Sequence, residues 1–137
     1  MKPGKLLTVI YYRTEDTKNY PAKEWLDEID VEAKFKLKHL LKQLEIRGPL
    51  VWMMFKDFFE PLGKGLFQIR LEHGDKWYRL IYFYWDKKAV VCHGYEKETN
   101  KIPPNENQTA LNRMKDFDNR MKMELLQKLK RPSKKTQ

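Results

Sequence analysis

Gly65-Leu-Phe-Gln-Ile-Arg70, Trp77-Tyr-Arg-Leu-Ile-Tyr82, Val90-Val-Cys-His-Gly-Tyr-Glu-Lys97 and Thr99-Asn-Lys-Ile-Pro-Pro104 follow one another in the middle of the chain. The first three are strand-like runs at hairpin spacing. In Leu66–His73, Gln68, Arg70 and Glu72 share one face and Phe67, Ile69 and Leu71 the other. Gly74-Asp75 predicts a turn. Lys76–Trp85 is apolar on both faces apart from Arg79, the pattern of a strand at the centre of its sheet. Asp86-Lys87 predicts a second turn, and Lys88–Tyr95 a further strand. Two such turns make the three strands an antiparallel meander, and each strand delivers cationic or titratable side chains.

Upstream, Leu50–Lys64 is strongly apolar but has no clean period. It predicts an irregular segment packed across the sheet, with a short helical turn. Before it, Asp30 caps a predicted helix Val31–Arg47 that Gly48-Pro49 ends. Phe35, Leu37, Leu40, Leu41 and Leu44 are assigned to its core face, and Lys34, Lys38 and Lys42 to another. Pro21 at a first helical position opens a shorter helix to Ile29, giving a two-helix hairpin. Lys5–Tyr12 reads as a strand. Downstream, Glu96–Pro103 is a polar loop, and Pro104 or Asn105 opens a long helix to about Leu129. Ala110, Met114, Phe117, Met121 and Leu125 form its stripe, read as core packing in the first half. The fold class is α+β: a two-helix hairpin on a small curved, mainly antiparallel sheet, followed by a C-terminal helix. One domain spans residues 1–127. Residues 128–137, with Lys128, Lys130, Arg131, Lys134 and Lys135 and no acid, read as a disordered basic tail.

The chain has 137 residues, enough for one buried core without disulfides or metal. Its 28 basic and 19 acidic residues give a formal net charge of +9, which favours a polyanionic partner. The lone Cys92 excludes an internal disulfide and any paired-cysteine metal site, and its apolar setting predicts a buried structural thiol. No signal peptide is visible and no run nears the roughly 18 apolar residues of a membrane span. A soluble cytoplasmic protein without a membrane partner is expected. The absence of P-loop, GxGxxG, GxSxG and HExxH patterns removes support for nucleotide hydrolysis, hydride transfer and zinc catalysis. No cofactor or metal is expected.

Arg70 and Arg79 stand out, because an arginine on an apolar strand pairs with a carboxylate, reaches solvent, or waits for an anion. Glu72 and Glu98 are the carboxylates expected beside them. His93 and Tyr95 lie two apart on one strand face, and histidine moves protons near neutrality. Lys97 and Lys101 flank Glu98 before a helix N-terminus, where anions are favoured. Exposed rings among the many aromatics suit stacking on unpaired bases.

Taken in order, these stretches resemble the RelE/ParE toxin superfamily, in its phage-derived, HigB-like branch. The Gly-Leu-aromatic-x-hydrophobic-Arg strand matches Gly65 to Arg70, and the aromatic-Arg-hydrophobic-x-Tyr strand matches Tyr78 to Tyr82. The hydrophobic-His-x-aromatic-x-Lys strand end matches Cys92 to Lys97. The Thr-x-Lys-x-Pro turn, with an alanine beyond it, matches Thr99 to Pro103 and Ala110. The likeness covers about residues 5 to 117. It implies a toxin of a type II toxin-antitoxin system, a ribosome-dependent, metal-free mRNA endoribonuclease. The partners it implies are mRNA on the ribosome and a cognate antitoxin with a helix-turn-helix DNA-binding domain. Arg70 and Arg79 would hold the scissile phosphate and Lys97 support them. His93 or Glu98 would be the base or acid, and Tyr95 would orient or stack on a nucleobase. Gln68, Lys101 and the helical Lys34, Lys38 and Lys42 complete the RNA-binding set. The chain departs from many relatives at Lys97-Glu98, where they carry two basic residues. Gyrase inhibition, as in some members of the superfamily, or non-catalytic ribosome or nucleic-acid binding are the alternatives.

Overall fold

The computed structural model describes residues 4–98 and 104–130. Its strands are β1 (Thr8–Tyr11), β2 (Phe59–Gly63), β3 (Leu66–His73), β4 (Lys76–Trp85) and β5 (Lys88–Lys97). Its helices are α1 (Pro21–Glu28), α2 (Val31–Arg47), α3 (Val51–Met54) and α4 (Pro104–Lys130), with a 3-10 turn at Gly48–Leu50. The strands form one sheet in the order β1-β5-β4-β3-β2, so the Arg79 strand is central, as its apolar pattern predicts. β1 runs parallel to β5 and the other neighbours are antiparallel, which makes the fold α+β with a mixed, mainly antiparallel sheet. Both hairpins turn where predicted. Gly74 takes φ +62, and Asp86 and Lys87 take φ 45 and 59, the left-handed values that two-residue hairpin turns require.

The sheet divides the core. On one face Ala22, Leu26, Leu37 and Leu44 of α1 and α2 pack on Ile69, Leu80 and Val91. On the other, Ala110 and Phe117 of α4 cover Ile81, Phe83, Val90 and Cys92. Phe117 meets Phe83 and Trp85 edge-on, with ring centroids 5.4 and 5.3 Å apart. Cys92 is a fully buried free thiol, as expected. Asp30 caps α2 through the Ala33 N–H at 3.1 Å, and Gly48 closes it at φ +62. No helix among the described residues is long and apolar enough to cross a membrane.

Five expectations change. Phe35 is 76% exposed and does not join Leu37, Leu40, Leu41 and Leu44 in the core. Two residues from Leu37 is about 200° of helix rotation, which puts it on the far side. The stretch read as irregular contains α3 and a whole strand, β2. Pro61 and Gly63 argue against a strand, yet an edge tolerates both, and the pairing with β3 slips between them. β1 is shorter than predicted, because the N–H groups of Leu6 and Leu7 donate to the Glu45 carbonyl at 2.9 and 3.1 Å. β5 is longer, reaching Lys97, and α4 runs through Lys130, so residues 128–130 of the expected tail are helical. The remainder of that tail and Lys101 lie outside the described residues.

Both sheet edges are blunted at one position. The outward N–H of Val9 in β1 donates to the Glu45 carboxylate at 2.9 Å. In β2, Pro61 stands on the open side, where the missing N–H leaves no ladder bond unmade.

Candidate active site

Three cross-strand rows lie on the face that α4 partly covers. Glu60, Gln68, Ile81 and His93 are direct partners across β2, β3, β4 and β5. Arg70, Arg79 and Tyr95 form the next row, and Glu72, Trp77 and Lys97 the third. A bulge assembles them. Tyr82 pairs with Val91 but Ile81 with His93, so Cys92 is an extra residue in β5. Val90 and Cys92 point under α4, and beyond the bulge the alternation reverses. His93, Tyr95 and Lys97 therefore join Arg79; had the alternation run unbroken through Cys92 they would face α1.

Arg79 is 1% exposed, a costly place for a charge. Its Nη1 lies 4.0 Å from the Glu60 carboxylate, and its guanidinium sits 5.6 Å from the centre of the Trp77 ring. Arg70 Nη1 lies 3.6 Å from the same carboxylate, and Arg70 Nε donates to the Asp57 carbonyl at 3.2 Å. The buried Gln68 amide also donates to Glu60. One carboxylate thus faces two guanidinium groups, and the cluster keeps a net positive charge. The Gln68 carbonyl oxygen and the Tyr95 hydroxyl are buried with no hydrogen-bond partner among the described residues. Such groups cost stability unless a ligand or solvent satisfies them. Burial pushes the Tyr95 hydroxyl up to about 12; Arg79 opposes the rise, and Glu106 and Glu60 add to it.

His93 lies beside this row with both ring nitrogens engaged. Nε2 is 2.7 Å from Glu106 Oε1, and Nδ1 is 3.0 Å from Arg113 Nη1, which also donates to the Cys92 carbonyl at 2.8 Å. The ring stacks on Tyr95 with centroids 5.6 Å apart. Burial holds the imidazole below its ordinary value, the Glu106 hydrogen bond works against this, and the Arg113 charge adds to it. The Lys97 ammonium reaches the other Glu106 oxygen at 3.9 Å.

Of the residues predicted from sequence, the fold gathers Arg70, Arg79, Gln68 and Tyr95 in one cluster, with His93 and Lys97 at its border. Glu98 is exposed past the end of β5. The arginines were expected to meet Glu72 or Glu98, but the carboxylate beside both is Glu60, because the unforeseen strand β2 delivers it. Lys34, Lys38 and Lys42 belong to α2, on the opposite face of the sheet. There Lys34 pairs with Asp27 at 3.5 Å and Lys42 with Glu45 at 3.8 Å. Three members of the site, Glu60, Glu106 and Arg113, were not singled out from sequence. The two on α4 carried a signal: with Ala110 they fall at helical spacing on the face that meets the sheet.

The family described as Phage derived protein Gp49-like (DUF891) matches residues 24–115, a span that holds every member of this cluster. No curated protein matches the chain. On the extent of that match, the chain belongs to the Phage derived protein Gp49-like family.

Proposed function

We propose that the protein is the toxin of a type II toxin-antitoxin pair, of the HigB-like kind, which cuts mRNA on the ribosome in the cytoplasm without a metal ion. The observation that carries this reading is the row Arg70–Arg79–Tyr95, backed by Glu60 and Gln68. It is a half-buried, net cationic cluster with an unsatisfied hydroxyl and an unsatisfied carbonyl. Two guanidinium forks suit the oxygens of a phosphodiester, and they suit better the crowded, more negative phosphorane that forms from it. The 2′-oxygen attacks phosphorus while Glu60, released from its arginines by the phosphate, takes the 2′-hydroxyl proton. The bond to the 5′-oxygen breaks, and Tyr95, protonated throughout the physiological range, gives that oxygen its proton. Lys97 adds positive charge at the border. Lys34, Lys38 and Lys42 form a separate basic surface for ribosomal RNA. The protein partner is an antitoxin with a helix-turn-helix DNA-binding domain.

The test is mRNA cleavage in a reconstituted bacterial translation system, with and without ribosomes, mapping the new ends. Ribosome-dependent cuts are expected. Arg70→Ala should slow them ~10²-fold or more, and Glu60→Gln, which keeps shape and removes the base, ~10²-fold to 10⁴-fold. Arg79→Lys keeps the charge but loses the fork and should be slow as well. Cuts on naked RNA would make it an independent ribonuclease. Intact mRNA would sink the reading in favour of gyrase inhibition or non-catalytic binding.

A further inference from the structure

Arg113 belongs to none of the roles assigned above, yet a single nitrogen of its guanidinium makes two contacts on β5. Its Nη1 donates to the Cys92 carbonyl at 2.8 Å and lies 3.0 Å from His93 Nδ1. Guanidinium nitrogens only donate, so His93 Nδ1 must accept and carries no proton. The ring proton then sits on Nε2, 2.7 Å from Glu106 Oε1. The Cys92 carbonyl belongs to the extra residue of the bulge, whose ladder pairing is interrupted. Arg113 therefore closes the bulge and sets the histidine with the same atom.

We propose that Arg113 is a positioning residue that holds His93 as its neutral Nε2–H tautomer, anchored on Glu106 and stacked behind Tyr95. His93 is then neither the base nor the acid of the site. Its acceptor lone pair is taken by Arg113 and its proton by Glu106, and its ring face fixes the phenol that lies across from Arg79. The charged and titratable groups facing this ring are Arg113 and Glu106 on α4 and Tyr95 on β5, with Lys97 reaching Glu106. A positioned phenol is the consequence for catalysis, and that part rests on the function proposed above; the tautomer does not.

The experiment is nitrogen-15 NMR of the histidine rings in the full chain, free of RNA, followed through a pH titration, with Arg113→Met and Arg113→Lys alongside. The wild type should show the Nε2–H pattern for His93 at neutral pH. In Arg113→Met the His93 titration should move to higher pH and the Nδ1–H form should appear, whereas Arg113→Lys should restore much of the wild-type pattern. An Nδ1–H ring in the wild type overturns the proposal. So does a His93 titration unchanged in a folded Arg113→Met. If that variant does not fold, the wild-type tautomer and the Arg113→Lys titration decide alone. A wild-type Nε2–H ring in a protein that cuts no RNA would uphold the positioning and reject the nuclease reading.

Discussion

Arg79 was legible as a special residue because one charge interrupts a strand that is otherwise apolar on both faces. Its partner was not legible, because Glu60 sits beside Pro61 in a stretch whose composition disguises a strand. His93 shows a further limit: sequence puts it on one face with Tyr95, but shows neither the bulge that turns both toward α4 nor that both ring nitrogens are engaged. Two expectations belong at this scale. The Cys92 thiol is pushed up to about 12 by burial, and the nearby Arg113 charge only partly opposes this. The native protein near pH 8 should resist a thiol-specific dye that labels the urea-unfolded chain at once. Rapid native labelling would mean that α4 lifts from the sheet. His93 sets an acid limit. Its folded value lies below the ordinary 6.5, so between the two the unfolded chain binds more protons than the folded one. Stability should therefore fall as pH drops through about 6.5 and level off once the folded ring also protonates. Urea midpoints measured across that range should slope less in His93→Asn, and parallel slopes would show that His93 contributes nothing.

Periodicity found the long elements, namely α2, α4, β3, β4 and β5, because each has enough turns or alternations to state its period. It failed where elements are short or their alternation is broken. β2 is an edge strand with a proline and a slipped pairing, and the Cys92 bulge reverses the faces of β5 with no local mark in the sequence. A contact between elements explains Gly94 in β5. The Trp25 ring of α1 lies against it, and an added Cβ would overlap Trp25 Cε3. The same indole N–H reaches Glu96 at 3.1 Å, so the ring cannot swing away without losing that bond. Gly94→Ala should destabilise the fold by about 1–3 kcal/mol, read from chemical denaturation. A neutral result would mean that α1 shifts freely on the sheet.

The overall architecture was readable from order alone: a helical pair, a meander and a closing helix leave few ways to cover both faces of one sheet. What order could not supply is how α4 is fastened. Tyr12, just past β1, donates to Asp116 at 2.6 Å, and Arg120 pairs with the same carboxylate at 2.8 Å. Beyond Met121 every described residue of α4 is exposed. Deleting residues 122–137 should therefore change unfolding free energy by only about 0.5 kcal/mol. The deletion removes six basic residues and one acid, lowering the formal net charge from +9 to +4. Any RNA affinity should become weaker and less dependent on salt, measured by titration at several ionic strengths. An unchanged salt slope would remove this segment from the electrostatic footprint. The two edge devices, Glu45 on the Val9 N–H and Pro61 on the far side, have a wider consequence. Each border is interrupted at one ladder position, which works against edge-to-edge fibre growth. The same two devices turn any protein partner toward side chains on the faces of the molecule rather than toward strand addition at the Val9 and Pro61 positions.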